Sequence, residues 1–375
     1  MSNELLPSLS WWTDPKIFDL EKRAVLFKSW IYVTHAGRFK KAGDYLSFAV
    51  GGLNFFLIKN KAGEVNAFHN VCRHRAYPVV KKEAGTSIIL GCKYHGWSYN
   101  TDGALTKAPQ FENVKGFDKS QNSLYKIRSH VTNQGLIFIN FDSSEAGPPP
   151  LDSFYPGLEQ SLGQLDLSDY EHHATFNLEG QFNWKTLMDG PTTAQRSKSF
   201  SIPPSEKVEE HSNWAKASAQ LLNSNGPDLD GLWFYLFPNS GINCYGPGWY
   251  SIRVLPIAPN KTALQYDVYK KKGTSDEQFE PFVELVKKVE QEDLQLCESA
   301  YVNLKSAETD PQSLGYHSKV KEMVVDHYEQ EKKAGRDINP AFLGTQSSSE
   351  TGQMLDRICQ ELECGSGPEN PVLAW

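Results

Sequence analysis

The chain lacks a segment that could cross a membrane, because no apolar run in its 375 residues approaches the length of about 18 that a spanning helix needs. It also lacks a basic block. The 38 Lys and Arg residues are outnumbered by 45 Asp and Glu, and a net charge of −7 argues against nucleic acid and anionic membranes as partners. Neither a signal region at Met1-Ser-Asn-Glu nor a disulfide-type cysteine pattern is present, so we predict a reduced, cytoplasmic protein.

Two short segments carry the strongest chemical signal. Cys72-Arg-His74 is followed, after seventeen residues, by Cys92-Lys-Tyr-His95. This is the ligand spacing of a Rieske [2Fe–2S] centre, in which two thiolates hold one iron and two imidazoles hold the other. Neutral histidines in place of two thiolates raise the reduction potential to roughly −150 to +300 mV, against about −400 mV for all-cysteine plant-type clusters. The pattern predicts a [2Fe–2S] cofactor that passes single electrons, with Cys72, His74, Cys92 and His95 as its ligands.

A structural zinc ion is the alternative for these four residues, because two cysteines and two histidines are also a zinc ligand set. Zinc fingers of that composition usually space the ligands C-x2–4-C and H-x3–5-H, which pairs like with like. Here each loop supplies one cysteine and one histidine, and Gly96-Trp97 follows the second loop. The mixed spacing favours the iron–sulfur cluster.

The periodicity of apolar residues predicts an α+β protein with two main parts. An amphipathic helix is expected over 16–30, and a long helix with an apolar stripe over about 276–304. The Pro-rich segment Ala146-Gly-Pro-Pro-Pro150 is a candidate boundary between the parts. Short strands separated by turn signals are expected at 45–50, 53–59, 65–68, 88–90, 136–141, 173–182, 213–222, 231–237, 249–257 and 262–270.

Further motifs lie outside the Cys/His loops. They are Trp12-Thr-Asp-Pro15, Gly43-Asp-Tyr45, the segment 67–75 around the first loop, Asn183-Trp-Lys185, Phe237-Pro-Asn239 and Gln291-Glu-Asp293. On these residues the chain resembles, over about 5–335, the large (alpha) subunit of Rieske non-haem iron oxygenases, in their choline-monooxygenase-like branch.

The resemblance implies a Rieske β-domain inserted in a catalytic-type domain of the helix-grip kind, which is an antiparallel sheet with a long helix. It also implies a homotrimer, an electron-donating reductase and a small-molecule substrate. The expected domains are an N-terminal helical part of the catalytic-type domain at 1–39, the Rieske domain at 40–145, the catalytic-type domain at 146–335 and a C-terminal extension at 336–375.

The family's mononuclear iron motif, an acid followed by two histidines after Asn-Trp-Lys, is not preserved. The acid that would bridge cluster and iron falls on Thr193, and the two ligand histidines fall on Arg196 and Ser201. No histidine occurs between His173 and His211, so a small shift of register does not restore the motif. An arginine stays protonated and has no lone pair for iron. We therefore expect no mononuclear Fe(II).

Asp293, at the third ligand position of the resemblance, survives on the apolar face of the long helix. A carboxylate there is unfavourable unless it meets a metal or a cation. We expect it to pair with Arg196 in the first place, or with Lys185 or Lys198. Asp293, Asp189 and Arg196 are the candidate catalytic groups of the pocket.

Several other side chains receive structural interpretations. His69 and His130 are read as structural, and Glu290, Glu292 and Glu298 as the solvated face of the long helix. Secondary candidates for replacement metal ligands are His172, His173 and His211. The aromatic residues expected in the core and the pocket walls are Trp233, Phe234, Tyr235, Tyr245, Trp249 and Tyr250.

Three functions remain open. The first is an enzyme that keeps the cluster and acts on a small, largely apolar metabolite by one-electron or acid–base chemistry, without being a self-sufficient oxygenase. The second is an accessory subunit that passes electrons to, or scaffolds, an intact relative in a hetero-oligomer. The third is a monooxygenase whose iron is held by non-standard ligands.

Overall fold

The computed structural model describes two compact units. Its described residues are 10–111, 114–187, 207–221, 229–305 and 315–341. Within them, the smaller unit comprises residues 39–49, 53–128 and 341, and the larger unit comprises residues 10–38, 50–52 and those from 129 to 340. The smaller unit is therefore inserted in the sequence of the larger one.

Strands dominate both units. In chain order they are β1 (Ile31–His35), β2 (Asp44–Val50), β3 (Leu53–Lys59), β4 (Val65–His69), β5 (Ala84–Thr86), β6 (Ile89–Gly91), β7 (Ser98–Asn100), β8 (Leu105–Lys107), β9 (Lys126–Val131), β10 (Leu136–Asn140), β11 (Tyr170–Gly180), β12 (Lys207–Glu210), β13 (Trp214–Leu221), β14 (Leu229–Leu236), β15 (Ser240–Tyr245), β16 (Gly248–Ala258) and β17 (Lys261–Lys271). The α-helices are α1 (Ser10–Thr13), α2 (Pro15–Glu21), α3 (Leu151–Phe154), α4 (Leu158–Leu162), α5 (Asp276–Leu304) and α6 (Gly315–Ala334).

The smaller unit presents the two Cys/His loops at the ends of its strands. Strands β4, β3, β2 and β5 are neighbours in that order, and β6, β7 and β8 form a separate three-stranded sheet. The first loop follows directly after His69, the last residue of β4. Strands β6 and β7 pair Gly91 with Ser98, and this pairing brings together the two ends of the second loop. The β-ladders thus position both loops.

The larger unit is built on an antiparallel sheet with the strand order β11-β17-β16-β15-β14-β13-β12. Helix α5 packs on this sheet, and the two share one hydrophobic core. The helix begins with a capping box, in which the Ser275 hydroxyl accepts from the Gln278 N–H and the Gln278 side chain accepts from the Ser275 N–H. Its apolar stripe recurs at three- and four-residue spacing, including Phe279, Phe282 and Val286.

The structure confirms the α+β class and the long helix, and it adds elements that the pattern did not predict. Helix α5 covers the predicted residues 276–304. The elements that were not predicted are β1, β5, β7, β8, β9, β12, β15, α1, α3, α4 and α6. The predicted helix over 16–30 is shorter, because α2 ends at Glu21 and continues as one π-helical turn over Lys22–Leu26. Among the described residues, no helix is long and apolar enough to cross a membrane.

Candidate functional site

The first Cys/His loop is closed by two backbone hydrogen bonds. The Cys72 N–H donates to the Tyr77 carbonyl at 2.8 Å, and the Ala76 N–H donates to the Cys72 carbonyl at 3.0 Å. To close the loop, Ala76 takes the left-handed conformation, with φ of 54°. This geometry turns the chain back on itself within six residues.

The second loop repeats the same closure. The Cys92 N–H donates to the Trp97 carbonyl at 2.8 Å, and the Gly96 N–H donates to the Cys92 carbonyl at 3.0 Å. Gly96, with φ of 74°, stands where Ala76 stands in the first loop. The two loops are therefore equivalent in backbone geometry, although one has the ligand spacing C-x-H and the other C-x2-H.

The two cysteines form a buried pair of thiols. The side chains of Cys72 and Cys92 share a hydrogen bond, which raises the pKa of Cys72 and lowers the pKa of Cys92. The Tyr99 hydroxyl lies 3.3 Å from the Cys72 sulfur. Backbone N–H groups of His74, Tyr94 and His95 also donate to the two sulfurs. Donors arranged around a sulfur stabilise a thiolate, which is the form that binds metal.

The two histidines form a second pair. The ring centroids of His74 and His95 are 4.6 Å apart, and His74 stacks on the buried Trp97 at 5.0 Å and 9°. Burial lowers the pKa of His74 to about 4 and also lowers the pKa of His95. Both imidazoles are therefore neutral at pH 7, as a metal ligand must be. Both rings are half-buried, whereas the two thiols are buried.

This donor set fits a [2Fe–2S] cluster. Like groups lie together, with two thiols in one pair and two neutral imidazoles in the other, which matches one iron held by sulfur and one held by nitrogen. Among the described residues, no three His, Cys, Asp or Glu side chains converge on a single metal ion. The histidine pair is therefore more exposed to solvent than the cysteine pair.

On the inner face of α5, Asp293 lies beside the tyrosines of the sheet. The Asp293 residue is half-buried, and its Oδ1 atom has almost no solvent contact. Burial raises the pKa of Tyr245 and Tyr266, and the nearby carboxyl groups of Glu290 and Asp293 raise both further. The sequence-based interpretation of Asp293 as a residue of the apolar face is consistent with this position.

Glu290, expected on the solvated face, is instead buried and only 5% exposed. Its Oε1 atom accepts a 2.5 Å hydrogen bond from the Tyr250 hydroxyl. The expectation was wrong because Glu290 stands four residues after Val286 and four before Leu294, both of which are buried on the same stripe. That helical phase was the signal that could have identified it.

The other predicted pocket groups lie outside the described residues. Asp189, Thr193, Arg196, Lys198 and Ser201 all fall within 188–206, so the expected contact between Arg196 and Asp293 stays a prediction.

Lys185, a second choice as partner of Asp293, has a different partner in the structure. Its ammonium is fully buried and lies 2.6 Å from Glu21 Oε1. The second oxygen of Glu21 accepts from Trp184 Nε1 at 2.8 Å. The Lys185 nitrogen also lies 4.6 Å from the centre of the Trp11 ring. The sequence analysis missed this buried pair, because its partners are 164 residues apart.

The remaining histidines have protein partners. His172 Nε2 lies 2.9 Å from the Thr175 hydroxyl, and His173 Nδ1 lies 3.5 Å from Asp276. His211 stacks on Trp214 with a centroid distance of 4.0 Å. His69 is buried, and its burial lowers its pKa to about 4. His130 Nε2 lies 3.9 Å from Glu159.

Comparison with known proteins covers both units. Residues 29–118 match the Rieske [2Fe-2S] domain, and residues 189–334 match the ring hydroxylating alpha subunit (catalytic domain). The chain is 26% identical over 325 residues to chloroplastic choline monooxygenase of Arabidopsis thaliana, covering 80% of this chain and 76% of the relative. It is 29% identical over 315 residues to the carnitine monooxygenase oxygenase subunit of Escherichia coli K12, covering 79% and 83%.

Solved structures give the same picture. A quaternary ammonium Rieske monooxygenase, described for carnitine oxidation and inter-subunit electron transfer, superposes with a TM-score of 0.71 at 26% identity, over 88% of this chain and 94% of the other. A naphthalene 1,2-dioxygenase from Rhodococcus superposes with a TM-score of 0.69 at 18% identity, over 87% and 93%, and supports the fold alone.

Proposed function

Because the chain belongs to the family of Rieske oxygenase alpha subunits, we propose that it carries single electrons on a [2Fe–2S] cluster held by Cys72, His74, Cys92 and His95. The observation that supports these ligands is the pairing of two buried thiols with each other and of two neutral imidazoles with each other. When bound, such a cluster stores and releases one electron at a time. The chain's own residues supply the N–H and O–H donors around the sulfurs.

The ligand assignment is tested with Cys72→Ser. Serine is a poor ligand for the cluster, so the variant should lose the visible colour and the EPR signal of the reduced Rieske centre. Cys244→Ser is the matched control, because Cys244 lies on β15 of the larger unit, and it should keep both signals. A Cys72→Ser protein that retains the signal would show that the assignment is wrong.

We also propose that the protein has no mononuclear iron site of the family's two-histidine kind, and is therefore not a self-sufficient oxygenase. The support is in the sequence, where Arg196 and Ser201 stand at the histidine positions and Thr193 at the bridging acid. An arginine cannot ligate iron. An isolated enzyme of this kind would act through the cluster or through acid–base groups in the pocket.

Metal analysis of protein purified under anaerobic conditions separates this proposal from an ordinary oxygenase. We expect about two iron atoms and about two acid-labile sulfide ions per chain, because one [2Fe–2S] cluster accounts for all of the iron and all of the sulfide. About three irons per chain, with one not coupled to sulfide, would instead support a monooxygenase with non-standard iron ligands.

For the substrate class we propose a small quaternary ammonium compound. The named relatives are monooxygenases of choline and of carnitine, and in this chain aromatic side chains line the core between α5 and the sheet. Aromatic rings attract quaternary ammonium groups through their electron-rich faces. Calorimetric titration with choline, and with its uncharged carbon analogue 3,3-dimethylbutan-1-ol, tests this. Choline should bind more tightly, and equal binding or none would rule out recognition of the cation.

The alternative function is that of an accessory subunit, which the residues Thr193, Arg196 and Ser201 at the iron-motif positions also favour. If the purified protein is reduced by its donor but converts substrate only after an intact relative is added, the accessory function is correct. Turnover by the purified chain alone would support the enzyme.

A further inference from the structure

Glu290 lies in the part of the core where α5 meets three neighbouring strands. Tyr245 of β15, Tyr250 of β16 and Tyr266 of β17 contribute hydroxyls to this region, and all three residues are at most 4% exposed. The Tyr250 hydroxyl is 2.5 Å from Glu290 Oε1 and 3.4 Å from the Tyr245 hydroxyl. A carboxyl group and three phenols therefore form one buried cluster.

We propose that Glu290 holds a proton in the resting protein and that it forms, with Asp293 one turn further along α5, an acid–base pair on the inner face of the helix. The pair rests on the proposed function and deepens it, since it supplies acid–base groups on the inner face of α5. One member can donate a proton and the other can accept one.

The surroundings of Glu290 favour the neutral form. Removing a carboxylate from water is strongly unfavourable unless a cation or several donors replace the water. In the described part of the chain, the influences on Glu290 are burial, which raises its pKa, and the hydroxyls of Tyr250 and Tyr266, which oppose that rise only in part. No basic side chain is among them.

The hydrogen-bonding capacity of a protonated Glu290 also matches its neighbours. A carboxylic acid can accept from one hydroxyl through its carbonyl oxygen and donate to a second through its O–H. The Tyr250 hydroxyl can be the donor, and the Tyr266 oxygen can be the acceptor. The buried Tyr266 hydroxyl makes no hydrogen bond of good geometry with the described residues, and the Glu290 carboxyl is a group that interacts with it.

Asp293 provides the contrast in environment. It stands three residues after Glu290, so both carboxyl groups project from the same side of α5. When two carboxyl groups lie close together, ionising both is unfavourable. The proton therefore stays on the more deeply buried carboxyl group. Glu290 is buried, whereas Asp293 is half-buried. The charged and titratable groups facing this cluster in the described residues are Tyr245, Tyr250, Tyr266, Asp293 and Cys297.

Infrared spectroscopy of the intact, cluster-bearing protein tests the proposal. At pH 7 the wild type should show a carbonyl band of a protonated carboxylic acid, which shifts when glutamate is labelled with ¹³C. Glu290→Gln should lose the band, and Glu284→Gln, at an exposed position of the same helix, should keep it. A wild type without the band, or a band that survives in Glu290→Gln, overturns the proposal.

Asp293→Asn tests the pairing of the two groups. Without the negative charge of Asp293, the Glu290 band should disappear at a lower pH than in the wild type. An unchanged midpoint would show that the two groups act independently and that the pair does not exist. None of these measurements uses turnover, so their outcome is independent of the iron and choline experiments.

The pH dependence of stability gives a second readout. A folded-state pKa above that of an unfolded glutamate, about 4.3, means that the folded protein binds more protons, so this contribution to stability falls as the pH rises. Relative to Glu290→Gln, the wild type should therefore lose stability from about pH 4.3 upward. A constant difference, or a gain by the wild type, would contradict a protonated Glu290.

Discussion

At the scale of single residues, Ala76 and Gly96 occupy the same place in two equivalent loops, but only one of them is a glycine. Both have positive φ, 54° and 74° respectively. For a residue with a Cβ atom, this left-handed conformation costs about 1–2 kcal/mol relative to the right-handed one. Ala76 therefore carries local strain that Gly96 avoids.

Replacing Ala76 by glycine should stabilise the smaller unit by up to about 1 kcal/mol, since the relief of strain exceeds the extra entropy that glycine loses on folding. The matched change, Gly96→Ala, should destabilise it by about 1–2 kcal/mol. The measurement is the temperature at which the visible absorbance of the cluster is lost at a fixed heating rate. If that temperature changed in the same direction in both variants, the explanation of the stability difference by the positive φ angle would be wrong.

Tyr99 acts on the cluster site through one hydrogen bond. Its hydroxyl lies 3.3 Å from the Cys72 sulfur and accepts from the Arg73 N–H at 3.0 Å. A donor to a ligand sulfur stabilises the reduced cluster more than the oxidised one, because the reduced cluster is the more negative.

Tyr99→Phe should therefore lower the reduction potential. If the bond is stronger by about 1 kcal/mol in the reduced state, the shift is about 40 mV for one electron. Protein-film voltammetry measures it, with Tyr94→Phe as the control because the Tyr94 side chain is 47% exposed. An unchanged or raised potential in Tyr99→Phe would show that the hydroxyl does not donate to the sulfur.

At the scale of elements, a buried ion pair links the end of α2 to the short 3₁₀ turn Trp184–Thr186. Glu21 is the last residue of α2 and pairs with Lys185 of the turn at 2.6 Å. Both side chains are almost completely inaccessible, at 1% and 0%. Removing one partner of such a pair leaves a buried charge without compensation.

Lys185→Met should therefore lower the stability by about 3–5 kcal/mol, and adding Glu21→Gln should recover a large part of that loss. Chemical unfolding followed by circular dichroism measures both. Lys287→Met is the control, since Lys287 pairs with Glu284 at an exposed site and should change stability by less than about 1 kcal/mol. A double variant that is no more stable than Lys185→Met would contradict the buried-charge explanation.

At the scale of the whole molecule, the proposed assembly is a homotrimer. A similar Rieske monooxygenase is described as using inter-subunit electron transfer. If this protein works in the same way, a single chain cannot complete its electron path, and the assembly is part of the function.

Light scattering at micromolar concentration should give about three times the 42.2 kDa of one chain. A monomer would exclude electron transfer between identical subunits. A larger mass that appears only with an intact relative would support the accessory function.

The sequence determined those features that depend on local chemistry and spacing. The Cys/His loops could be identified because each ligand pair lies within four residues, and helix α5 could be predicted over its full length because its stripe and its capping residues are consecutive. The family could be recognised for the same reason, since its motifs are short segments.

Which groups share an environment depends on how distant segments fold together. Strand β15 was missed because Ser240-Gly-Ile-Asn-Cys-Tyr245 has no clear alternation, and its place is set by pairing with β14 and β16. Glu290 is buried because α5 packs on three strands, and Lys185 meets Glu21 across 164 residues of sequence. These contacts join segments that are distant in sequence, so no local pattern records which groups meet, although the helical phase of Glu290 does indicate its burial.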